Sequence, residues 1–106
     1  MRLAEIFDGS MKMAKIELKS ESWQWEQTGN ICIEYEYAGQ PSGIAATEAD
    51  IWVHELKREG GTLVYLMFHT ERLKELCRRY WRWRKEKAGD GGRSKVILLP
   101  LKDILQ

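Results

Sequence analysis

Ile31-Cys32-Ile33-Glu34-Tyr35-Glu36-Tyr37 is the stretch whose reading decides the fold. β-branched and aromatic residues suit a pleated, half-buried surface, and the period of two places Ile33, Tyr35 and Tyr37 on one side with Glu34 and Glu36 on the other. Ala38-Gly39-Gln40-Pro41-Ser42-Gly43 cannot extend the strand. Downstream, Thr47-Glu48-Ala49-Asp50 has the form of a helix capping box and predicts a helix to about Lys57, stopped by Gly60-Gly61. Thr62 to Phe68 is a short apolar run typical of a buried strand. Leu73, Leu76, Cys77, Tyr80 and Trp81 then share one face of a second helix, which starts after His69 or Thr70 and ends at Gly89-Asp90-Gly91-Gly92. Val96 to Leu99 forms a last strand before Pro100.

Upstream, Ser20 to Asn30 reads as a loop carrying Trp23 and Trp25, Met11 to Lys19 as a strand, Asp8-Gly9-Ser10 as a turn and Met1 to Phe7 as a first strand. The order is β-β-β-α-β-α-β, which predicts an α/β domain with a mixed central β-sheet flanked by helices. At 106 residues the chain is one domain, 1–106, without internal repeats. It has no apolar window long enough to span a bilayer and no signal-peptide stretch, so the expected location is the cytoplasm. Cys32 and Cys77 match no metal or redox spacing and read as small apolar residues; with two histidines a zinc site is not expected.

The chemistry gathers on the first two strands. Alternation puts Glu17 and Lys19 on one face and Leu18 on the other, and hairpin pairing would bring Asp8 towards the same face. Two carboxylates with the Leu18 main-chain carbonyl between them offer hard oxygen ligands for Mg²⁺, or Mn²⁺ in its place. Such an ion polarises a phosphodiester oxygen and acidifies a bound water, while a lysine alongside orients that water or offsets charge on phosphorus. From spacing alone, Ile16-Glu17-Leu18-Lys19 equally describes a half-exposed strand with a solubilising charge pair.

Asp8 followed by Glu17-x-Lys19 resembles the PD-(D/E)XK nuclease superfamily, which includes phage endonucleases and Holliday-junction resolvases. The run Thr28-Gly29-Asn30, Ile33-Glu34-Tyr35-Glu36, Gln40-Pro41-Ser42-Gly43-Ile44-Ala45 and Thr47-Glu48-Ala49-Asp50-Ile51-Trp52 is similar to small nucleases of phages and mobile elements. Gly92-Arg93-Ser94 leading to Leu98-Leu99-Pro100-Leu101 is similar to their closing strand. The resemblance implies a restriction-endonuclease-like fold, metal ligation by Asp8 and Glu17, and service of the attacking water by Lys19. Two departures stand out: Phe7 occupies the motif's nominal proline position, and Asp8 comes too early for the helix that precedes the first strand in the family.

Other residues extend the expectation. Glu34 is an auxiliary acid if its strand lies beside the E-x-K strand. Ser42 and Thr47 precede the predicted helix, whose free N–H groups suit a phosphate, although an ordinary cap explains Thr47 equally. His54, on that helix, is either structural or an approach to the site. Arg78, Arg79, Arg82, Trp83, Arg84 and Lys85, with Lys87, combine cations and an aromatic in the manner of a nucleic-acid surface; a solvated helix end with cations at its negative pole has the same composition. The expected function is a Mg²⁺-dependent DNA endonuclease acting on branched or structured DNA, and two nicks on a symmetric substrate favour a homodimer or higher homo-oligomer. The rival readings are a non-catalytic nucleic-acid-binding or assembly module that keeps the nuclease fold, and an interaction protein whose charged strand face solvates a sheet.

Overall fold

The computed structural model describes residues 2–5 and 13–105. Its strands form two four-stranded sheets rather than the single mixed sheet expected. The first has the order β1 (Arg2–Glu5), β2 (Met13–Glu21), β5 (Ile51–Arg58), β6 (Gly61–His69). β2 runs antiparallel to β1 but parallel to β5, and β5 and β6 form a hairpin. The second, wholly antiparallel, has the order β4 (Gln40–Pro41), β3 (Asn30–Tyr37), β8 (Ser94–Pro100), β7 (Arg84–Ala88). Three short helices, α1 (Gln24–Thr28), α2 (Thr70–Arg79) and α3 (Leu101–Ile104), complete the described elements with three 3-10 turns. The molecule is thus α/β with one mixed and one antiparallel sheet, and its order departs from β-β-β-α-β-α-β.

The core follows from alternation. Ile31 and Ile33 of β3 meet Ile97 and Leu99 of β8, and against them pack Trp52 and Leu56 of β5, Leu66 of β6, and Leu73, Leu76 and Cys77 of α2. Ile31, Ile33, Leu73 and Leu99 have no exposed surface, and each such burial contributes about 1.5–3 kcal/mol.

The largest correction concerns residues 47–58. The predicted helix is strand β5, because Trp52, His54 and Leu56 are buried with period two while Ile51 and Val53 add β-branched stiffness. The capping signal is spent on a turn: the Thr47 hydroxyl accepts the Ala49 N–H at 3.1 Å. Asp50 then ties the start of β5 to β2, its N–H donating to the Lys15 carbonyl at 2.9 Å and its carboxylate accepting the Lys15 N–H at 3.1 Å. Gly60, at φ +92°, turns a hairpin instead of ending a helix.

The second helix is also shorter than its apolar stripe suggested. It stops at Arg79, a 3-10 turn covers Trp81–Trp83, and Arg84–Ala88 becomes β7, which pairs with the open edge of β8 at Arg84–Ile97 and Lys85–Val96. In the expected 20–30 loop, α1 forms because Trp25 is buried there and its indole donates to the Lys57 carbonyl at 2.8 Å. The strands expected around Ile31–Tyr37, Thr62–Phe68 and Val96–Leu99 are present, each extended by one to three residues; Thr62–Phe68 is not the buried strand expected, because β6 lies at an edge of its sheet and leaves Leu63, Val64, Tyr65 and Met67 exposed. Among the described residues no helix is long and apolar enough to cross a membrane.

Candidate functional site

Parallel pairing of β2 with β5 builds the site. Its register sets Glu17 against Trp52, Lys19 against His54 and Glu21 against Leu56. Side chains directly across a ladder share a face, so Glu17, Lys19 and Glu21 stand with Trp52 and His54, and Leu18 belongs to the opposite face. Lys19 Nζ lies 3.9 Å from Glu17 Oε2 and 6.0 Å from the centre of the Trp52 ring. The Thr47 hydroxyl donates to Glu17 Oε1 at 3.1 Å. The carboxylate is therefore aimed from one side by a hydroxyl and from the other by a cation, with a fifth of its side chain exposed.

Glu34 reaches this region by another route. Its strand is not beside the E-x-K strand, since β3 belongs to the second sheet. Its two oxygens accept the Ser42 and Ser94 hydroxyls, both at 2.9 Å. Ser42 can do this because Gly43 approaches the Glu34 backbone so closely that a Cβ there would fall 2.1 Å from the Glu34 carbonyl oxygen. With the helix absent, the phosphate role expected of Ser42 and Thr47 through helix N–H groups is gone; each hydroxyl positions a carboxylate instead.

A third carboxylate, Glu21, was not singled out from the sequence. It accepts the Cys32 N–H at 2.9 Å and so closes part of the open edge of β3. The same Oε2 meets Nε2 of the buried His54, whose Nδ1 receives the Trp52 indole N–H at 3.1 Å. An indole nitrogen can only donate. Nδ1 is therefore unprotonated and Nε2 carries the hydrogen that Glu21 accepts, which gives a fixed tautomer in a Trp52–His54–Glu21 chain. The signal for Glu21 was in the sequence: it continues the parity of Glu17 and Lys19.

Lys19, Glu21, Glu34, Trp52 and His54 line one cleft of about 230 Å³ between the sheets. Cys32 lines it too, but burial, reinforced by Glu21, pushes its thiol up to about 11. Burial pushes Cys77 up to about 12. Both thiols are free and protonated at neutral pH, which removes them as nucleophiles. Glu55, on the other face of β5, is held below the usual carboxylate range by the Ser20 hydroxyl first and the Thr62 hydroxyl second.

As for a metal, the cleft and its border present oxygen donors of the type a hard cation takes. Among the described residues, no three His, Cys, Asp or Glu side chains converge on one ion position. Asp8, expected as the second ligand, lies outside the described residues.

The basic segment forms a ridge rather than a helix face. Arg78 and Arg79 end α2, where cations suit the helix dipole. Arg82 lies 4.9 Å over the Trp83 ring and Arg84 4.8 Å over the Trp81 ring, and Tyr80 leans on Trp83 with ring centres 5.6 Å apart. Arg84 also pairs with Glu86 at 3.3 Å. Lys85, on β7, borders a groove of about 440 Å³ that also includes Glu21, Cys32 and Glu34, three residues of the cleft. Lys85 thereby shares a groove with residues of the cleft, whereas Arg78 and Trp81 line a separate pocket with Tyr35. No family model, no curated protein and no solved structure matches this chain.

Proposed function

We propose that this chain is a metal-dependent endonuclease that hydrolyses DNA phosphodiesters, with branched or structured DNA as substrate. The observation that carries the reading is Glu17 and Lys19 on one face of β2, 3.9 Å apart, with Lys19 lining a cleft whose Glu21 and Glu34 also line a groove bordered by Lys85. Asp8, Glu17 and the Leu18 carbonyl are the proposed ligands of Mg²⁺ or Mn²⁺. When bound, the ion supplies Lewis-acid activation of a phosphodiester and of a water.

The chain's own groups do the rest. Lys19 holds the attacking water or offsets charge on the phosphoryl oxygens, and Trp52 beneath its ammonium limits where it can swing. Thr47 fixes one oxygen of Glu17, leaving the other towards Lys19 and the reacting centre. Glu34, clamped by two serines, is the auxiliary acid. The Arg78–Lys85 ridge engages backbone phosphates. Pairing with a second copy is supported by β6, which among the described residues is one edge of the first sheet, exposes Leu63, Tyr65 and Met67 and has no Lys, Arg, Asp or Glu between Gly61 and His69.

Incubation with a four-way junction, a duplex and single-stranded DNA, in Mg²⁺ or in EDTA, tests the function. Cleavage in Mg²⁺ alone, favouring the junction, is the expected result. Salt-sensitive binding without cleavage under any condition would overturn it in favour of a binding module. The ridge carries its own expectation. Arg82→Ala and Arg84→Ala each lower the dependence of log K on log salt by about 0.9 for a duplex and weaken binding alike across sequences. An unchanged slope removes the ridge from the interface.

A further inference from the structure

We propose that the pocket between α2 and β3 takes an unpaired nucleobase, so that the chain binds DNA through a base swung out of the stack. The proposal rests on the nuclease reading for its choice of DNA, but not on cleavage. The pocket encloses about 290 Å³, at the lower limit of small-molecule sites, ~300 Å³. Its floor is apolar, made of Ile44, Cys77 and Ile97, all buried. Its wall is aromatic: Tyr35 and Trp81 meet with ring centres 4.8 Å apart and planes inclined by 57°. Two cations, Lys74 and Arg78, border it one helical turn apart, and no carboxylate does.

Each feature restricts the occupant. A flat apolar floor beside an aromatic wall favours a planar ring over an alkyl chain. Lys74 and Arg78 favour a ring that carries negative charge next to it. Lys74 is shared with Glu71 at 3.6 Å, but that carboxylate is 84% exposed and screens it weakly. A nucleotide combines ring and charge in one unit. A base inside a duplex is stacked on both sides and cannot enter, so the pocket selects unpaired positions. Trp81 is 44% exposed, which leaves ring surface for contact. Consecutive residues of β3 serve the two sites: Glu34 lines the cleft and Tyr35 the pocket.

Binding in EDTA separates this from hydrolysis. The full chain is titrated with a labelled oligothymidylate and with a blunt duplex. Trp81→Ala is expected to weaken the oligothymidylate about 10- to 100-fold and the duplex several-fold less, the duplex loss reflecting only the Arg84 guanidinium that rests on the Trp81 ring, with Trp81→Phe restoring most of the loss. Lys74→Glu, a charge reversal at the rim, also weakens the single strand more than the duplex, and serves if the alanine variant does not fold. Equal losses on both substrates, no loss on either, or a phenylalanine variant as poor as alanine would overturn the pocket. A chain that shows the expected pattern yet never cleaves in Mg²⁺ upholds the pocket and defeats the nuclease.

Discussion

On the proposed nuclease reading, Glu17→Gln is expected to lower the rate of DNA cleavage by about a thousandfold while leaving DNA binding intact or slightly tighter. The side chain keeps its size, and its carbonyl oxygen can still accept the Thr47 hydroxyl that Glu17 Oε1 accepts at 3.1 Å. What is lost is the charge that faces Lys19 at 3.9 Å and that would face a divalent ion. Removing one preorganised electrostatic group from a catalytic centre costs about 10²–10³ in rate, and loss of a metal ligand belongs at the upper end. Binding moves the other way because one negative charge fewer repels the phosphates. The checks are single-turnover cleavage of a four-way junction in Mg²⁺ and its affinity in EDTA. A variant that cleaves at the parent rate ends the assignment of Glu17, and one that loses binding and cleavage together points to a damaged fold.

Gly43→Ala produces the largest loss of stability. At φ +51° the backbone lies where an L side chain is strained, which costs about 1–2 kcal/mol. The added Cβ would also fall 2.1 Å from the Glu34 carbonyl oxygen and 2.9 Å from its carbon, neither of which is a flexible side-chain end. Relieving that overlap requires the backbone of β3 or of the 3-10 turn to shift, at about 1–3 kcal/mol. The sum, roughly 2–5 kcal/mol, lowers the melting temperature by about 8–40 °C at 4–8 °C per kcal/mol. Gly29→Ala is the control: it shares a positive φ, +75°, but has open space around it, so only the conformational cost of about 1 kcal/mol applies. Equal melting shifts for the two variants would show that the approach to Glu34 is unimportant. The shift also reaches the cleft, because Ser42, one residue earlier, is one of the two serines that hold Glu34.

The sequence was most legible where pattern and packing agree. Ile31–Tyr37 alternates and is a strand; Leu73, Leu76 and Cys77 share a face and are buried in a helix. Glu17 and Lys19 share a face because parity along a strand survives any choice of neighbour. Residues 47–58 were misread because their capping pattern is local, whereas the forces that make them a strand are remote: the Asp50–Lys15 hydrogen bonds and the burial of Trp52 and Leu56. The reach of the apolar stripe past Arg79 misled for a similar reason, since Trp81 faces Tyr35 from a 3-10 turn and Arg84–Lys85 are drawn into a strand by the open edge of β8. His54 was noticed but placed on the wrong element. Its partnership with Glu21 depends on two strands pairing in parallel across a long excursion, which no short window contains.

The parallel union of β2 and β5 also bears on when the site comes into being. Ser20 and Glu55, joined across that union, are 35 positions apart in the chain, and the residues between them contribute β3 and β4 to the other sheet, where β3 pairs with the later strand β8. During translation, a growing polypeptide that has emerged only as far as Lys19 exposes the glutamate and lysine with nothing to order them. The ordering of these side chains is thus deferred until β5 has been made and has paired with β2, a delay between the synthesis of the glutamate and lysine and their arrangement on one face.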